Sequence, residues 1–349
     1  MAQLGEHYDG TKLLSLVDMD GDKPGFYICE TNRNGGKTTY FGRYLINRFL
    51  KRNEQFILMY RLQDELKDVP EKFFNGDLRD LFFNDYEMTS TCEKGAGYST
   101  LYLNGVKCGF AVALYASNKI RKSSQYFRDV ETIFFDEFQL EDMSYKPKEL
   151  VHFQSILKSV GRGKGKAVRP IRVIMACNPV SILNPYYSSM GITTRIMQNG
   201  DFIRGSGWVL ETSVVEKVKE AAKNDVIAKA FANSDYMKFA NEGIHLIDES
   251  AFIETPKGKN KYIMTLRYNG KDYGVREYYE HGCVFVSSSF DATCKTKIAC
   301  TKEDHTYNYV LDTSDKNWIT IFRDLFSKGV FRFGDVESKN ALLTFIAYR

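Results

Sequence analysis

Residues 26–39 read FYICETNRNGGKTT: an apolar run, a glycine turn, then Lys37, Thr38 and Thr39 opening a stretch in which Phe41, Leu45 and Phe49 recur at helical spacing. That order predicts a strand, Phe26 to Cys29, ending in a loop that turns straight into a helix. Phosphate binding is the chemistry that suits such a junction. Gly35 and Gly36 let the backbone turn tightly, so that its N–H groups face phosphate oxygens. Lys37 can reach the β- and γ-phosphates of ATP, and the Thr38 hydroxyl can ligate Mg²⁺. The helix that follows adds its positive N-terminal end. The expected binding stretch is therefore Asn34, Gly35, Gly36, Lys37, Thr38 and Thr39. Against the GxxxxGK[ST] pattern the first glycine is replaced by Thr31. A nucleotide hydrolase is the expected activity.

A partner for this loop appears at Thr132 to Glu137, TIFFDE, an apolar strand with two carboxylates at its end. In a P-loop ATPase of the additional-strand, catalytic-glutamate class, the first carboxylate, here Asp136, holds the Mg²⁺ shell. The second, Glu137, polarises the attacking water. A strand ending in Asp-Glu is common at any solvated edge; the phosphate loop upstream is what selects the catalytic reading.

Composition agrees with an enzyme of more than one domain: 349 residues, 43% hydrophobic and 26% charged. No apolar stretch approaches the roughly 20 residues of a membrane span, and MAQLGEHYDG has neither a basic flank nor an apolar core, so a cytosolic protein is expected. Seven cysteines without any CxxC pair argue for reduced thiols. The irregular spacing of His281, Cys283, Cys294 and Cys300 favours buried or incidental thiols over a zinc site.

The net charge of +4 excludes a protein coated in basic residues, so any nucleic-acid contact is local. Two clusters qualify. Lys119, Arg121 and Lys122 come just before the TIFFDE strand and are the expected nucleic-acid contacts, although such a charge run can equally be a solvated face. Lys158 to Arg172, KSVGRGKGKAVRPIR, holds six cations and no acid, interleaved with glycine as a mobile loop able to reach a phosphate backbone or a neighbouring subunit's nucleotide.

Alternating strands and helices in the first two hundred residues predict an open, mostly parallel α/β sheet, with further strands at Phe56 to Tyr60 and Ile171 to Ala176. TLYLNGVKCGFAVAL predicts a hairpin turning at Asn104-Gly105. A helix is predicted over Lys148 to Val160, with Leu150, Phe153, Leu157 and Val160 on one face. Asn178, at the end of the Ile171 strand, is placed beside Asp136 and Glu137, where it can sense the γ-phosphate; as a residue before proline it also fits a plain turn.

The order RKSS, TIFFDEF and CNPVSILNPYY resembles the DNA-packaging ATPases of small short-tailed phages of the Picovirinae kind, over most of the first two hundred residues. The resemblance implies a homo-oligomeric ring, a pentamer, at the portal vertex of a prohead in the host cytoplasm. It implies hydrolysis of ATP, with Mg²⁺, to drive double-stranded DNA inward, with the portal or a structural RNA as docking partner. By motif it puts Arg33 and Lys37 in the phosphate loop, Asp136 and Glu137 in the hydrolytic pair, and Lys122 in a channel loop facing DNA. Arg162 matches the region supplying a trans-acting arginine finger, with Lys158 and Lys164 as alternatives.

Beyond Gly207 the texture changes. Residues 1–206 are expected to form the P-loop ATPase domain, 207–249 a helical linker, and 250–349 a smaller α+β domain. YIMTLRYNGKDYGVREYY, Tyr262 to Tyr279, predicts a hairpin at Asn269-Gly270. The resemblance implies an RNase H-like fold there, whose metal site needs grouped carboxylates. YIMTLRY has none, and Asp291, Asp304 and Asp312 show no metal spacing, so a nuclease-like scaffold without nuclease activity is expected. Three functions compete: an ATP-driven DNA translocase, an ATPase joined to an active metal nuclease, and a non-catalytic nucleotide-gated module.

Overall fold

Parallel strands at the centre of an α/β sheet are covered on both faces and so read as near-continuous apolar runs. β1 (Phe26–Thr31), β2 (Gln55–Tyr60), β6 (Val130–Asp136) and β7 (Arg172–Cys177) are of this kind, each with at most two residues short of full burial. The structure, a computed structural model, describes residues 7–74, 76–92, 95–141, 145–146, 148–163, 168–181, 184–192, 202–222, 226–230, 240, 253–311 and 316–347. The chain divides into two compact units, residues 1–181 with 192–247 and residues 182–191 with 248–349.

With β3 (Met88–Cys92), β4 (Tyr98–Leu103), β5 (Val106–Ala113), β8 (Phe202–Gly205) and β9 (Trp208–Ser213), the first unit holds, among the described residues, a nine-stranded sheet of order β3-β4-β5-β2-β6-β7-β1-β9-β8. β3, β4 and β5 form an antiparallel flank, and β5 then runs parallel to β2. The predicted turn between β4 and β5 is present, with Asn104 at φ 47° and Gly105 at φ 76°, the left-handed pair a two-residue hairpin requires. At the other end β8 and β9 form a hairpin whose second strand pairs parallel with β1, Cys29 opposite Glu211. The expected boundary at residue 206 is therefore wrong. It cuts between two paired strands, and the sheet extends through Ser213 before the short helices Glu216–Ala222 and Val226–Ala230 begin. WVLETS opens on only three apolar residues, beside alanine-rich sequence, too short a run to signal a buried strand by itself.

After the short α1 (Thr11–Ser15), helix α2 (Lys37–Arg52) lays Phe41, Leu45 and Phe49, the stripe that the spacing predicted, together with Ile46 on the sheet and ends at Asn53 in a left-handed cap. Burying each such side chain contributes roughly 1.5–3 kcal/mol. Beyond the short helices α3 (Asp77–Phe82) and α4 (Ser117–Lys122), α5 (Glu149–Val160) buries Glu149, Phe153, Ile156, Ser159 and Val160. Its inner face is rotated from the predicted one, leaving Leu150 and Leu157 half-buried, because a buried glutamate rather than a leucine begins the stripe.

The second unit carries a five-stranded sheet among the described residues. β10 (Lys261–Tyr268) and β11 (Lys271–Tyr278) are the predicted hairpin, turning at Asn269 and Gly270. β12 (Cys283–Ser287) continues the meander, and β13 (Lys297–Ala299) and β14 (Phe331–Phe333) add parallel edges beside β10 and β12. Helices Lys316–Ser327 and Val336–Ala347 belong to the same unit. Asp304 accepts the N–H of Gly270 and the Thr301 hydroxyl, so it staples the hairpin turn. Asp291 caps its own turn through Thr293, which holds its carboxyl below the usual range. Asp312 lies outside the described residues.

Candidate active site

The loop leaving β1 reaches α2 through Asn34 at φ 59° and Gly36 at φ 86°, two left-handed residues in three. Gly36 begins the helix, where a Cβ would be strained by its φ. Arg33 and Asn34 are exposed, whereas Lys37 is buried. Its ammonium uses three donors inward: to the Thr31 carbonyl at 3.0 Å, the Asn32 carbonyl at 3.0 Å and Asn178 Oδ1 at 2.9 Å. Asn178 thus meets the loop after β1 through its lysine. Phosphate can compete for that ammonium only by exchanging one of these acceptors.

Thr38 and Asp136 come together from different elements. The Thr38 hydroxyl donates to Asp136 Oδ2 at 2.5 Å. Hydroxyl and carboxylate are the hard oxygen donors that suit Mg²⁺, so this pair is fit to hold that ion. Burial pushes the Asp136 carboxyl up; the Thr38 bond opposes the shift, Glu137 adds to it and Lys37 opposes it.

Glu137 follows at φ 50°, left-handed backbone that a non-glycine residue adopts at a cost of roughly 1–3 kcal/mol unless its surroundings enforce it. Here they do. Arg61, at the end of β2, donates Nη1 to the Glu137 carbonyl at 2.7 Å and Nη2 to the Phe138 carbonyl at 2.5 Å. Its Nε pairs with Glu149 at 3.2 Å, and its plane lies over Phe135. Glu149 is itself bonded by the Tyr115 hydroxyl. The Glu137 side chain is exposed at a cavity of about 930 Å³ that also takes in Arg33, Thr38, Arg61, Asp136 and Asn178. Sequence reading missed Arg61. Its signal was a lone arginine ending the apolar run QFILMY, matched by a glutamate starting a helix.

Arg33 pairs with Glu141 at 3.1 Å, both about half exposed, at the cavity rim. Gln139, buried, ties β1 to the segment after β7 by donating to Glu30 and accepting the N–H groups of Val180 and Ser181.

The remaining predicted residues lie elsewhere. Lys119, Arg121 and Lys122 are exposed, on the short helix α4 (Ser117–Lys122) rather than a loop, because Ile120 buries one side of the segment. Arg162 is exposed just beyond Gly161, which ends α5, and is not among the residues lining the cavity. Lys158 is exposed on α5; Lys164 and Lys166 lie outside the described residues. The cationic run is also narrower than its sequence suggests. Arg169 is buried, donating to the Phe127 and Val160 carbonyls, and Arg172 donates to Thr132 and covers Tyr44.

All seven cysteines are free, and His281 Nε2 sits 2.6 Å from the Lys257 carbonyl. Among the described residues no group of three or more His, Cys, Asp or Glu is placed to hold a metal, and no helix is long and apolar enough to cross a membrane.

The loop between β1 and α2, with its buried lysine, thus faces an acidic pair at the end of β6, another parallel strand of the same mixed α/β sheet, an arrangement chemically suited to phosphate and Mg²⁺. The model of one family, Podovirus DNA encapsidation protein (Gp16), matches residues 11–348, and the chain belongs to that family. The DNA packaging proteins of Bacillus phage PZA and Bacillus phage phi29 are 26% and 25% identical to it over 312 residues, covering 88% of this chain and 89% of each relative. Two solved structures share its fold. The bacteriophage Phi-29 viral genome packaging motor assembly matches with TM-score 0.55 and 24% identity over 96% of this chain and 97% of its own. The Phi-28 gp11 DNA packaging motor matches with TM-score 0.58 and 14% identity over 99% of each.

Proposed function

We propose that this chain is the ATP-hydrolysing subunit of a phage genome-packaging motor, which couples hydrolysis to translocation of double-stranded DNA into a prohead. The observation that carries the reading is the meeting of Thr38 with Asp136, which brings the helix after the phosphate loop to the acidic strand. β7 lies between β1 and β6, as the additional-strand, catalytic-glutamate class requires. Membership in a DNA encapsidation family supplies the task, and the packaging-motor relatives support a ring at the portal vertex in the host cytoplasm.

In this reading Lys37 and the loop amides of Asn34 to Thr39 hold the triphosphate, with Arg33 at the rim, and Asn178 positions Lys37 and reads the γ-phosphate. Thr38 and Asp136 hold Mg²⁺, which when bound neutralises charge on the transferred phosphoryl group. Glu137 orients the attacking water and takes its proton. Its backbone is fixed by Arg61, so the carboxylate is delivered without a search. Arg162 serves a neighbouring subunit's nucleotide, since it lies beyond α5 and outside its own cavity. Lys119, Arg121 and Lys122 contact the DNA backbone.

For the second unit we propose an RNase H-like scaffold without nuclease activity, used for docking on the portal or a structural RNA. Its antiparallel meander with a parallel strand beside β10 supports the fold, and the structural tasks of Asp291 and Asp304 support the missing chemistry. Measuring DNA-stimulated ATPase activity beside Mg²⁺- or Mn²⁺-dependent nuclease activity tests both readings. DNA-stimulated hydrolysis without DNA cleavage is expected; cleavage would favour the terminase-like alternative, and neither activity would leave a nucleotide-gated module.

A further inference from the structure

The phosphate loop is gripped from two sides by segments that share strand β9. On one side the Tyr8 backbone N–H donates to the Gly35 carbonyl at 2.7 Å, and the buried Tyr8 hydroxyl donates to Glu211 Oε2 on β9 at 2.6 Å. The Tyr8 ring packs on Tyr40 and Phe41 of α2, with centroids 5.5 and 5.6 Å away. His7 covers Gly36, where a Cβ would stand 3.3 Å from its own. On the other side Val215, just beyond β9, donates its N–H to Asn32 Oδ1 at 2.9 Å and accepts from Asn32 Nδ2 at 3.3 Å. The Ser213 hydroxyl donates to the other Glu211 oxygen at 3.1 Å.

This loop has Thr31 where the pattern has its first glycine, and two left-handed residues, so its shape depends on what surrounds it. We propose that the Tyr8–Glu211 hydrogen bond is a positioning device for nucleotide: it clamps residues 7–11 onto Gly35 and thereby fixes the loop amides that receive phosphate. The proposal rests on the phosphate-loop reading above. Neither residue is assigned contact with the nucleotide; both act through Gly35 and Gly36. A preformed loop lowers the ordering cost of binding. Losing the clamp therefore weakens affinity and leaves the chemical step alone.

The test uses the full chain and three variants, with affinity for Mg·ATP read from a fluorescent ATP analogue, steady-state ATPase rates, and thermal unfolding. Tyr8→Phe keeps the ring and removes only the donor. Glu211→Leu removes the acceptor, and Glu211→Gln keeps an amide oxygen in its place. The first two are expected to raise Kd and KM about five- to tenfold with kcat within about twofold, a loss typical of one hydrogen bond. Combined, they should do little more than Glu211→Leu alone, which already breaks the Tyr8 bond together with that from Ser213. Glu211→Gln should stay within about twofold of the parent. A lowered Tm with unchanged Kd in Tyr8→Phe would make the bond merely structural and overturn the proposal, as would a fall in kcat at constant KM. If the folded parent chain itself fails to bind Mg·ATP, the phosphate-loop reading falls and the clamp with it. If the parent binds and the variants match it, the clamp alone falls.

Discussion

Arg61 holds the backbone of Glu137 by donating to its carbonyl at 2.7 Å, while its other edge is paired with Glu149, whose side chain is 1% exposed. One guanidinium thus joins an unusual backbone conformation at the end of β6 to a buried acid at the start of α5. Removing it has two effects that can be separated. Arg61→Met strands a buried carboxylate and is expected to cost about 3–5 kcal/mol of stability. Arg61→Lys keeps a charge but loses the planar fork, so hydrolysis should drop roughly tenfold with a smaller stability loss. Denaturant unfolding beside ATPase rates checks both; an Arg61→Lys enzyme at full rate would show that Glu137 needs no such support.

Lys37→Ala and Glu137→Gln should both abolish hydrolysis and differ in what remains. Lys37 is the buried cation of the loop, so its loss should weaken ATP binding by about two orders of magnitude. Glu137→Gln removes a base from an exposed side chain, so ATP should bind within a few-fold of normal while the rate falls about 10²–10⁴-fold. Equal loss of affinity in the two variants would refute the role given to Glu137.

Burial raises the Asp136 carboxyl above its ordinary range. The protonated form is therefore favoured by folding, and its contribution to stability is complete below the unfolded value and is lost as pH rises through the folded one. Asp136→Asn has no such loss. Its stability relative to the parent should climb between the unfolded and the raised pKa and then level off, while Mg²⁺-dependent hydrolysis disappears. Unfolding curves that run parallel across that window would contradict a raised Asp136.

Arg162→Ala is expected to be inactive alone. Mixed with Glu137→Gln subunits it should recover partial hydrolysis, because an Arg162→Ala subunit keeps its own glutamate and borrows a neighbour's arginine. No recovery at any ratio, in rings shown to be mixed, would count against action in trans.

Replacing Lys119, Arg121 and Lys122 on α4 by alanine should lower the slope of log affinity against log salt by roughly one unit per lost phosphate contact. DNA stimulation of hydrolysis should vanish and basal activity survive. A triple variant with full stimulation and an unchanged slope would move the DNA surface elsewhere.

Much of the site was legible because its chemistry is local. FYICETNRNGGKTT places Lys37 and Thr38 by spacing alone, and TIFFDE places its two acids by ending an apolar run. Asn104-Gly105 and Asn269-Gly270 announced their hairpins for the same reason, since the turn chemistry sits in two residues. Arg61 and Glu149 were not paired from the sequence, because they lie 88 residues apart and an arginine ending a strand or a glutamate opening a helix does not name its partner. Nor were Tyr8 and Glu211, which meet only because β9 returns to lie beside β1. The predicted face of α5 went astray where a charged residue, satisfied by Arg61 and Tyr115, took a position that patterning reserves for apolar side chains.

The position of β9 also bears on how the chain comes off the ribosome. β1 is made early, yet both of its neighbours are late: β7 begins at Arg172 and β9 ends at Ser213. Parallel pairings of such long range form slowly and leave strand edges open meanwhile. The first strand and its glycine turn must therefore wait, as exposed apolar sequence, until most of the N-terminal unit has been translated. A nascent chain stalled before Trp208 should remain open to proteases at β1, and one released past Val215 should not.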